Sequence, residues 1–351
     1  MGRMMQFFYC MGKFKSFVVH RRRYHNEDSQ HSSRFFAMNP AHLAFAALGL
    51  IWGTNFIFMK WASVYLSASQ IVFLRVLFGF LPLLACALFT GVLKWRHLRH
   101  AHHFVVMSLL ATVLYYYAFA KGSALLASGV AGMLSGAIPL VSFICGWALL
   151  RQEHPTRRML AGILCGFVGV LLIAQPWGSN DAGVNPLGVA YMLAGALSVG
   201  CSFVYARRFL SGLDLSPLAL STWQIGFALV IATCLTDFHG IARIAGDSRA
   251  LLGLVLGLGL SGTGLAFIQY YFIVGRLGAL GASSVTYIPP VVALLMGTAI
   301  AGESLRPVDA VAMAAILSGV YLLQSRTHAK TKSLGAKCDE FGQTRSVRQV
   351  T

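Results

Sequence analysis

Between Ala41 and Gln324 the chain alternates apolar stretches of about 20 residues with short polar connections, and a stretch of that length crosses a hydrocarbon core of about 30 Å as a helix. The pattern predicts ten transmembrane helices, over residues 42–62, 69–90, 103–121, 126–150, 158–175, 186–208, 216–237, 250–274, 279–301 and 307–324. The expected fold class is therefore an all-α membrane protein. Residues 1–40 read as a basic N-terminal tail with Arg21, Arg22 and Arg23 in a row, and residues 326–351 as a polar, basic C-terminal tail. The first tail has no signal-peptide core before a small-residue cleavage site. Gln6 stands where N-myristoylation at Gly2 needs Ser or Thr. Met38, just before the first helix, is an alternative start that mass spectrometry of the expressed protein would test.

Composition sharpens this picture. Hydrophobic residues make up 57% of the chain and charged ones 11%, against roughly one quarter charged in a soluble domain. The 28 Lys and Arg outnumber the 11 Asp and Glu, but they sit in the tails and alternate short loops, with no basic face or stacking module for nucleic acid. They set orientation instead. With the N-terminus cytoplasmic, the inner loops hold Lys94, Arg96, Arg99, Arg151, Arg157, Arg158, Arg207, Arg208 and Arg276. The outer loops then hold only Lys121, Arg243, Arg249 and Arg306. The excess places both termini inside, in a multi-pass protein of the cell (inner) membrane. The cysteines are scattered and form no CxxC, so neither a disulfide framework nor a zinc site is expected. His97, His100, His102 and His103 cluster among arginines without an acid or cysteine, which matches no standard metal-ligand set.

The chain also repeats itself at a period of about 150 residues. Without gaps, Ile138 to Leu172 aligns with Ile288 to Leu322, matching Pro139 with Pro289, Glu153 with Glu303 and Gly169 with Gly319. A slightly different offset aligns Trp52-Gly53-Thr54-Asn55-Phe56 with Val199-Gly200-Cys201-Ser202-Phe203. Each half, residues 41–175 and 186–325, then holds five helices. Because five is odd, the second half enters the bilayer from the opposite side. Two like units of inverted orientation are the architecture of many secondary transporters, in which access alternates as the halves exchange conformations.

The run from Gly49 to Phe56 opening the first helix, Pro139 to Glu153, Tyr287 to Gly297, and Gly302-Glu303 resemble EamA-type members of the drug/metabolite transporter superfamily. The resemblance spans residues 41–325. It implies two inverted five-helix repeats around a central cavity walled by helices 1–4 and 6–9, cytoplasmic ends, and movement of metabolites, more often outward. It does not single out a substrate.

Candidate cavity residues follow from cost. Pro139 and Pro289 fall inside helices 4 and 9, where proline removes a backbone hydrogen bond and frees a carbonyl. Interrupted helices at matching places in two halves point to a midplane site, though a simple kink is the competing reading. Lys60 and Arg75 are the two cations inside helices. Lys60 lies near the outer end of the first helix and can snorkel. Arg75 is deeper, where a basic side chain costs roughly 2.5–3.5 kcal/mol on insertion scales, and either binds a carboxylate or phosphate or ties helix ends together. Trp52, Asn55, Tyr115, Tyr116, Ser202, Tyr205, Trp223, Gln224, Gln269, Tyr270 and Tyr287 complete the set, with inter-helix packing the alternative for each. Asn55 matches Ser202 across the repeat, and Arg75 matches Gln224. Glu153 and Glu303 follow helices 4 and 9, end on opposite faces, and are expected to order the turn and the next helix start.

No Asp, Glu or His falls at the middle of a predicted helix, and no Walker-type loop occurs. The expectation is a secondary transporter for a small amino acid-like, zwitterionic, anionic or neutral solute, with no catalytic residues, cofactor or metal. A receptor or scaffold is the alternative, and an intramembrane enzyme a more distant one. The partners expected are the solute and the bilayer, not nucleic acid. The Gly162-xxx-Gly166 and Gly253-xxx-Gly257 faces leave a homodimer open.

Overall fold

The computed structural model describes residues 40–150, 156–175, 184–210, 212–213, 215–304 and 306–323, so the tails and Glu153 lie outside the described residues. These residues are all-helical, with no strand among them. Eight helices are long and apolar enough to cross a membrane: α1 (Pro40–Ala62), α2 (Ala68–Phe89), α3 (Trp95–Leu125), α4 (Ser128–Leu149), α5 (Arg157–Ala174), α6 (Pro186–Leu210), α7 (Pro217–Leu235) and α8 (Ser248–Val274). Two shorter apolar helices, α9 (Val285–Ala301) and α10 (Pro307–Leu323), complete the described chain.

Starts are chemically marked. Ser67 and Gln70 form a reciprocal capping box on α2. Thr156, Asn185, Ser216 and Asp247 accept backbone N–H bonds at the starts of α5, α6, α7 and α8. Asp247 also accepts a 2.9 Å bond from the Tyr65 hydroxyl, tying the α1–α2 turn to α8. The Ala250 amide and the Tyr65 hydroxyl together hold its carboxyl below the usual carboxylate range.

The structure departs from the predicted boundaries in two places. α3 starts eight residues before the expected 103, as a 3-10 turn over Trp95–His100. The basic and histidine side chains there suggested a loop, but long side chains at a membrane surface are compatible with a helix that reaches into the headgroups. The expected turn between residues 274 and 279 is absent. The backbone stays helical over Ala266–Ser283, so Arg276 is helical and its guanidinium lies 5.5 Å from the Phe272 ring. Gly275 and Gly278 do not stop it, since glycine is common within membrane helices.

α4 and α9 are interrupted at equivalent places. α4 loses its helical pattern at Gly136 and Ala137, and a fresh segment starts at Ile138 with Pro139 in its first turn. A 3-10 stretch, Ser284–Tyr287, leads into α9 before its α-helical part starts at Ile288 and Pro289. In both, proline occupies the first turn, where its missing N–H leaves no bond unmade.

Helices that correspond across the repeat run antiparallel against each other. Gln70 at the start of α2 donates to the carbonyls of Asp237 and His239 beyond the end of α7, at 2.8 and 2.9 Å. Gly129 and Gly132 of α4 face Leu294 and Ala293 of α9. Gly162 and Gly169 of α5 face Gly319 and Ala312 of α10. A Cβ at Gly162 would stand 2.8 Å from the Gly319 carbonyl oxygen, and one at Gly319 only 2.5 Å from that of Gly162. In lipid there is no hydrophobic drive between helices, so such backbone-to-backbone approach supplies the association. Large apolar side chains such as Leu81, Leu88, Leu164 and Leu295 point outward, as a lipid-facing surface requires. Gly319→Leu is therefore expected to destabilise the fold by about 1–3 kcal/mol by overpacking. A thermal-unfolding comparison in detergent checks it: an unchanged midpoint would contradict the α5–α10 contact.

Candidate functional site

The centre is built where α2 crosses α8. α8 departs from α-helical geometry over Gly253–Leu265, which is π-helical and carries five glycines. A Cβ at Gly79 of α2 would meet Thr263 at 2.6 Å and the Gly259 carbonyl at 3.1 Å. That closeness lets Arg75, one turn earlier on α2, reach Thr263. Its Nε donates to Thr263 Oγ1 at 3.0 Å, and Thr263 in turn donates to the Leu258 carbonyl at 3.0 Å. The guanidinium lies flat on Tyr116 of α3, 3.7 Å from the ring centroid, and one Nη contacts the Met59 sulfur of α1 at 4.0 Å. Arg75 is 5% exposed. The described acidic residues, Asp237, Asp247, Glu303 and Asp309, all belong to helix ends or connections, and the one salt bridge among described residues joins Arg306 to Asp309.

The other half repeats this arrangement without the charge. Gln224 of α7 stands where Arg75 stands on α2, and its Nε2 donates to Thr112 Oγ1 of α3 at 3.0 Å. Thr112 lies in a second π-helical segment, Leu109–Val113, which falls within the repeat counterpart of the first. Ser108 adds a 2.6 Å bond to the Gln224 carbonyl. Arg75–Thr263 and Gln224–Thr112 are thus one bond made twice, once with a cation and once with a neutral amide.

The predicted residues divide into groups. Arg75, Tyr116 and Asn55 come together: Asn55 packs its Oδ1 against Gly262, the neighbour of Thr263, and that buried oxygen has no hydrogen-bond donor. Tyr115 stacks edge-on to Phe119 at 4.5 Å beside them. Gln269 presents a second buried acceptor without a donor, its Oε1. Trp52 and Tyr270 face each other across α1 and α8, with centroids 6.1 Å apart. Ser202 bonds only its own helix, at the Val199 carbonyl, and the Tyr287 hydroxyl ties α9 to α10 through the Val320 carbonyl. Pro139 and Pro289 mark the helix breaks. Tyr205 bonds His103 at 2.7 Å, and Trp223 donates to His97 at 3.4 Å, both near one end of α3.

Two expectations change. Lys60 does not simply snorkel: its Nζ donates to the carbonyls of Ala124 and Leu126 at 3.1 and 2.7 Å. Glu303 does not order the start of its own next helix, where Asp309 pairs with Arg306 instead. Its carboxylate reaches into the other half and accepts from the Ser128 and Gly129 amides at 2.6 and 2.8 Å. Thr112 and Thr263 were not singled out from sequence, although each lies about 150 residues from the other in an apolar stretch. The expected open cavity is not at Arg75, whose neighbours pack directly on it. An open groove of about 480 Å³ lies instead between α1 and α8, lined by Thr54, Phe58, Trp61, Arg249 and Gly257 among others.

Fold and site together define a multi-pass helical membrane protein with a closed, polar, singly basic centre. The EamA-like transporter family matches residues 39–175 and 186–325, one match to each half, and the chain belongs to that family. It is 27% identical over 303 residues to "Uncharacterized inner membrane transporter YedA" of Escherichia coli K12, covering 83% of this chain and 92% of that protein. An "Uncharacterized transporter" of Archaeoglobus fulgidus is 23% identical over 272 residues, covering 78% and 94%. "Uncharacterized transporter YcxC" of Bacillus subtilis is 25% identical over 304 residues, covering 84% and 96%. A solved chain titled "Crystal structure of protein" superposes with a TM-score of 0.50 at 20% identity, over 80% of this chain and 95% of that one, a likeness of fold alone.

The two equivalent bonds should not be worth the same. Thr263→Val strips a buried charged donor of its acceptor, a loss of about 1.5–3 kcal/mol, whereas Thr112→Val unpairs a neutral amide, about 0.5–1.5 kcal/mol. Unfolding midpoints of the two variants in detergent should fall in that order, and equal or reversed losses would argue that Arg75 has another acceptor.

Proposed function

We propose that this protein is a secondary transporter that crosses the membrane ten times in two inverted five-helix halves, with both termini cytoplasmic. It moves a small zwitterionic, anionic or neutral metabolite by alternating access, without ATP. Export is the direction favoured by family resemblance. The observation that carries the reading is the guanidinium of Arg75, buried between α1, α2, α3 and α8 with a threonine, a tyrosine face and a thioether around it and no described carboxylate beside it. A buried cation that lacks an anion is costly in a membrane, and a solute carboxylate offsets that cost.

The neighbouring acceptors refine the solute class. Asn55 Oδ1 and Gln269 Oε1 have no donor, and an ammonium or hydroxyl of the solute would satisfy either. Carboxylate at Arg75 and donor at Asn55 describe an amino acid or a related zwitterion. The closed packing then represents a state without through-access, which opens when helices interrupted at Pro139 and Pro289 bend. Proline-broken helices at equivalent places in both halves suit that motion.

In sealed proteoliposomes, counterflow of an amino-acid mixture is expected with wild-type protein. Arg75→Ala should raise the apparent KM roughly tenfold or more, the loss of a charge-assisted bond. Pro289→Ala should lower turnover with little change in KM. Vesicles that show no solute movement, or efflux of a permanent organic cation abolished by Arg75→Ala, would overturn the assignment.

A further inference from the structure

The open groove between α1 and α8 runs along the outside of the helices and covers half their length. On α1 its wall is Ile51, Thr54, Phe58 and Trp61, spaced three and four apart so that they share one face, and all four are half-buried. On α8 the matching stripe runs from Arg249 through Gly253 and Gly257 to Ser261. Leu252 and Leu256, 54% and 48% exposed, form its rim. Trp61 and Arg249 each stand one residue from a helix end, whereas Ile51 and Ser261 are the middle residues of Pro40–Ala62 and Ser248–Val274. From Trp61 to Ile51, and from Arg249 to Ser261, the helices rise about 15–18 Å, and half of a hydrocarbon core is about 15 Å. The groove therefore starts at the headgroup level and ends at the midplane. It is one leaflet deep.

Its chemistry changes along that length. A Cβ at Gly253 or Gly257 would meet the Phe58 ring, at 3.0 and 2.4 Å, so this small-residue face, open to a second copy on sequence alone, is already filled by α1. Thr54 Oγ1 is turned to the Ile51 carbonyl at 2.9 Å, which leaves Ser261 as the one other hydroxyl along an apolar wall. At the upper end Phe58 packs on Trp61, centroids 5.7 Å apart, and the Arg249 guanidinium lies 5.4 Å from the Trp61 ring. Indole and guanidinium at one level are an interfacial arrangement. Arg249 is exposed. Asp247, two residues before it, directs its carboxylate to the Tyr65 hydroxyl and to the Arg249 and Ala250 amides. The one salt bridge among described residues is elsewhere, between Arg306 and Asp309.

We propose that this groove is a specific site for one anionic phospholipid, with an acyl chain along Phe58, Gly257 and Ile51 and the phosphate on the Arg249 guanidinium. A single acyl chain matches the apolar wall and its depth of one leaflet. The phosphate matches a guanidinium at headgroup level that has no carboxylate in salt-bridge contact, and arginine binds phosphate through paired charge-assisted bonds. The lower end of the groove adjoins the centre of the molecule. Thr54 and Ser261 directly precede Asn55 and Gly262, which pack on each other, and Thr263 follows as the acceptor of Arg75. A lipid seated there braces the α1–α8 contact beside that bond. The proposal needs the chain to lie in a bilayer, but neither a particular solute nor a direction of transport.

Trp61 is a built-in reporter. The full chain, purified in a neutral detergent, is titrated with phosphatidylglycerol carrying bromines near the carboxyl end of one acyl chain, and tryptophan fluorescence is followed. The same titration of Trp61→Phe gives the background from the other tryptophans. The Trp61-dependent quenching should saturate at one lipid per chain, and brominated phosphatidylcholine, whose choline offsets the phosphate charge, should need a higher concentration. Arg249→Gln should raise the half-saturating concentration of phosphatidylglycerol about fivefold, the loss of one basic contact at a membrane surface, and leave phosphatidylcholine unchanged. Ser261→Phe, which fills the midplane end, should weaken both lipids. Should Ser261→Phe fail to fold, Arg249→Gln decides alone, since its side chain is exposed and outside the packed core. Quenching that does not saturate, that is equal for the two lipids, or that Arg249→Gln leaves unchanged would mean ordinary shell lipid and overturn the proposal. A dimer mass by light scattering that Ser261→Phe reduces to a monomer, with Trp61 shielded from brominated lipid, would put a second copy in the groove and overturn it as well.

Discussion

The structure depends on glycine-to-backbone contact between the two halves of the chain. Surrounded by lipid, apolar helices gain nothing by hiding from solvent, so their association comes from dispersion at close range and from hydrogen bonds. Gly79 against Gly259 and Thr263, Gly162 against Gly319, and Gly49 and Gly53 against Ile288 and Val292 each bring a helix of one half onto a helix of the other. Arg75 meets Thr263 because the first of these crossings is tight. Widen it by one side chain and the guanidinium loses its Thr263 oxygen partner.

On that nearly symmetric frame the chemistry is asymmetric. Equivalent positions on α2 and α7 donate to equivalent threonines on π-distorted segments, and only one carries a charge. The cation–π contact with Tyr116 contributes about 2 kcal/mol when desolvated and needs no counter-ion. It stabilises the cation without neutralising it, which leaves the charge able to attract an anion.

The polar contacts at the membrane surface follow the same logic of satisfying the backbone. A broken turn inside a membrane protein exposes carbonyls at the end of one helix and amides at the start of the next. Lys60 and Glu303 meet those two needs with opposite charges, from α1 and from beyond α9. The α8–α9 connection has no such need while its helix is continuous. Where backbone groups are unsatisfied thus decides where the charged side chains near the ends of the helices go.

Most of the helices were legible because lipid imposes a minimum apolar length, and length is written directly in the chain. The repeat was legible for a similar reason: matched prolines, glutamates and glycines survive at fixed spacing, so the equivalence of Arg75 with Gln224 and of Pro139 with Pro289 needed no coordinates. The continuous helix through Arg276 was not legible, because a glycine-rich polar stretch is compatible with turn or helix and only its neighbours decide. Nor was the pairing of Arg75 with Thr263 or the reach of Lys60 and Glu303 to the α3–α4 turn. Those partners lie on different helices, and which helix faces meet depends on backbone approach distances that hydropathy does not encode. The sequence by itself determined how many apolar segments there are and that the two halves are alike; the tertiary structure alone decided which polar atoms share the few places where two backbones come close enough to touch.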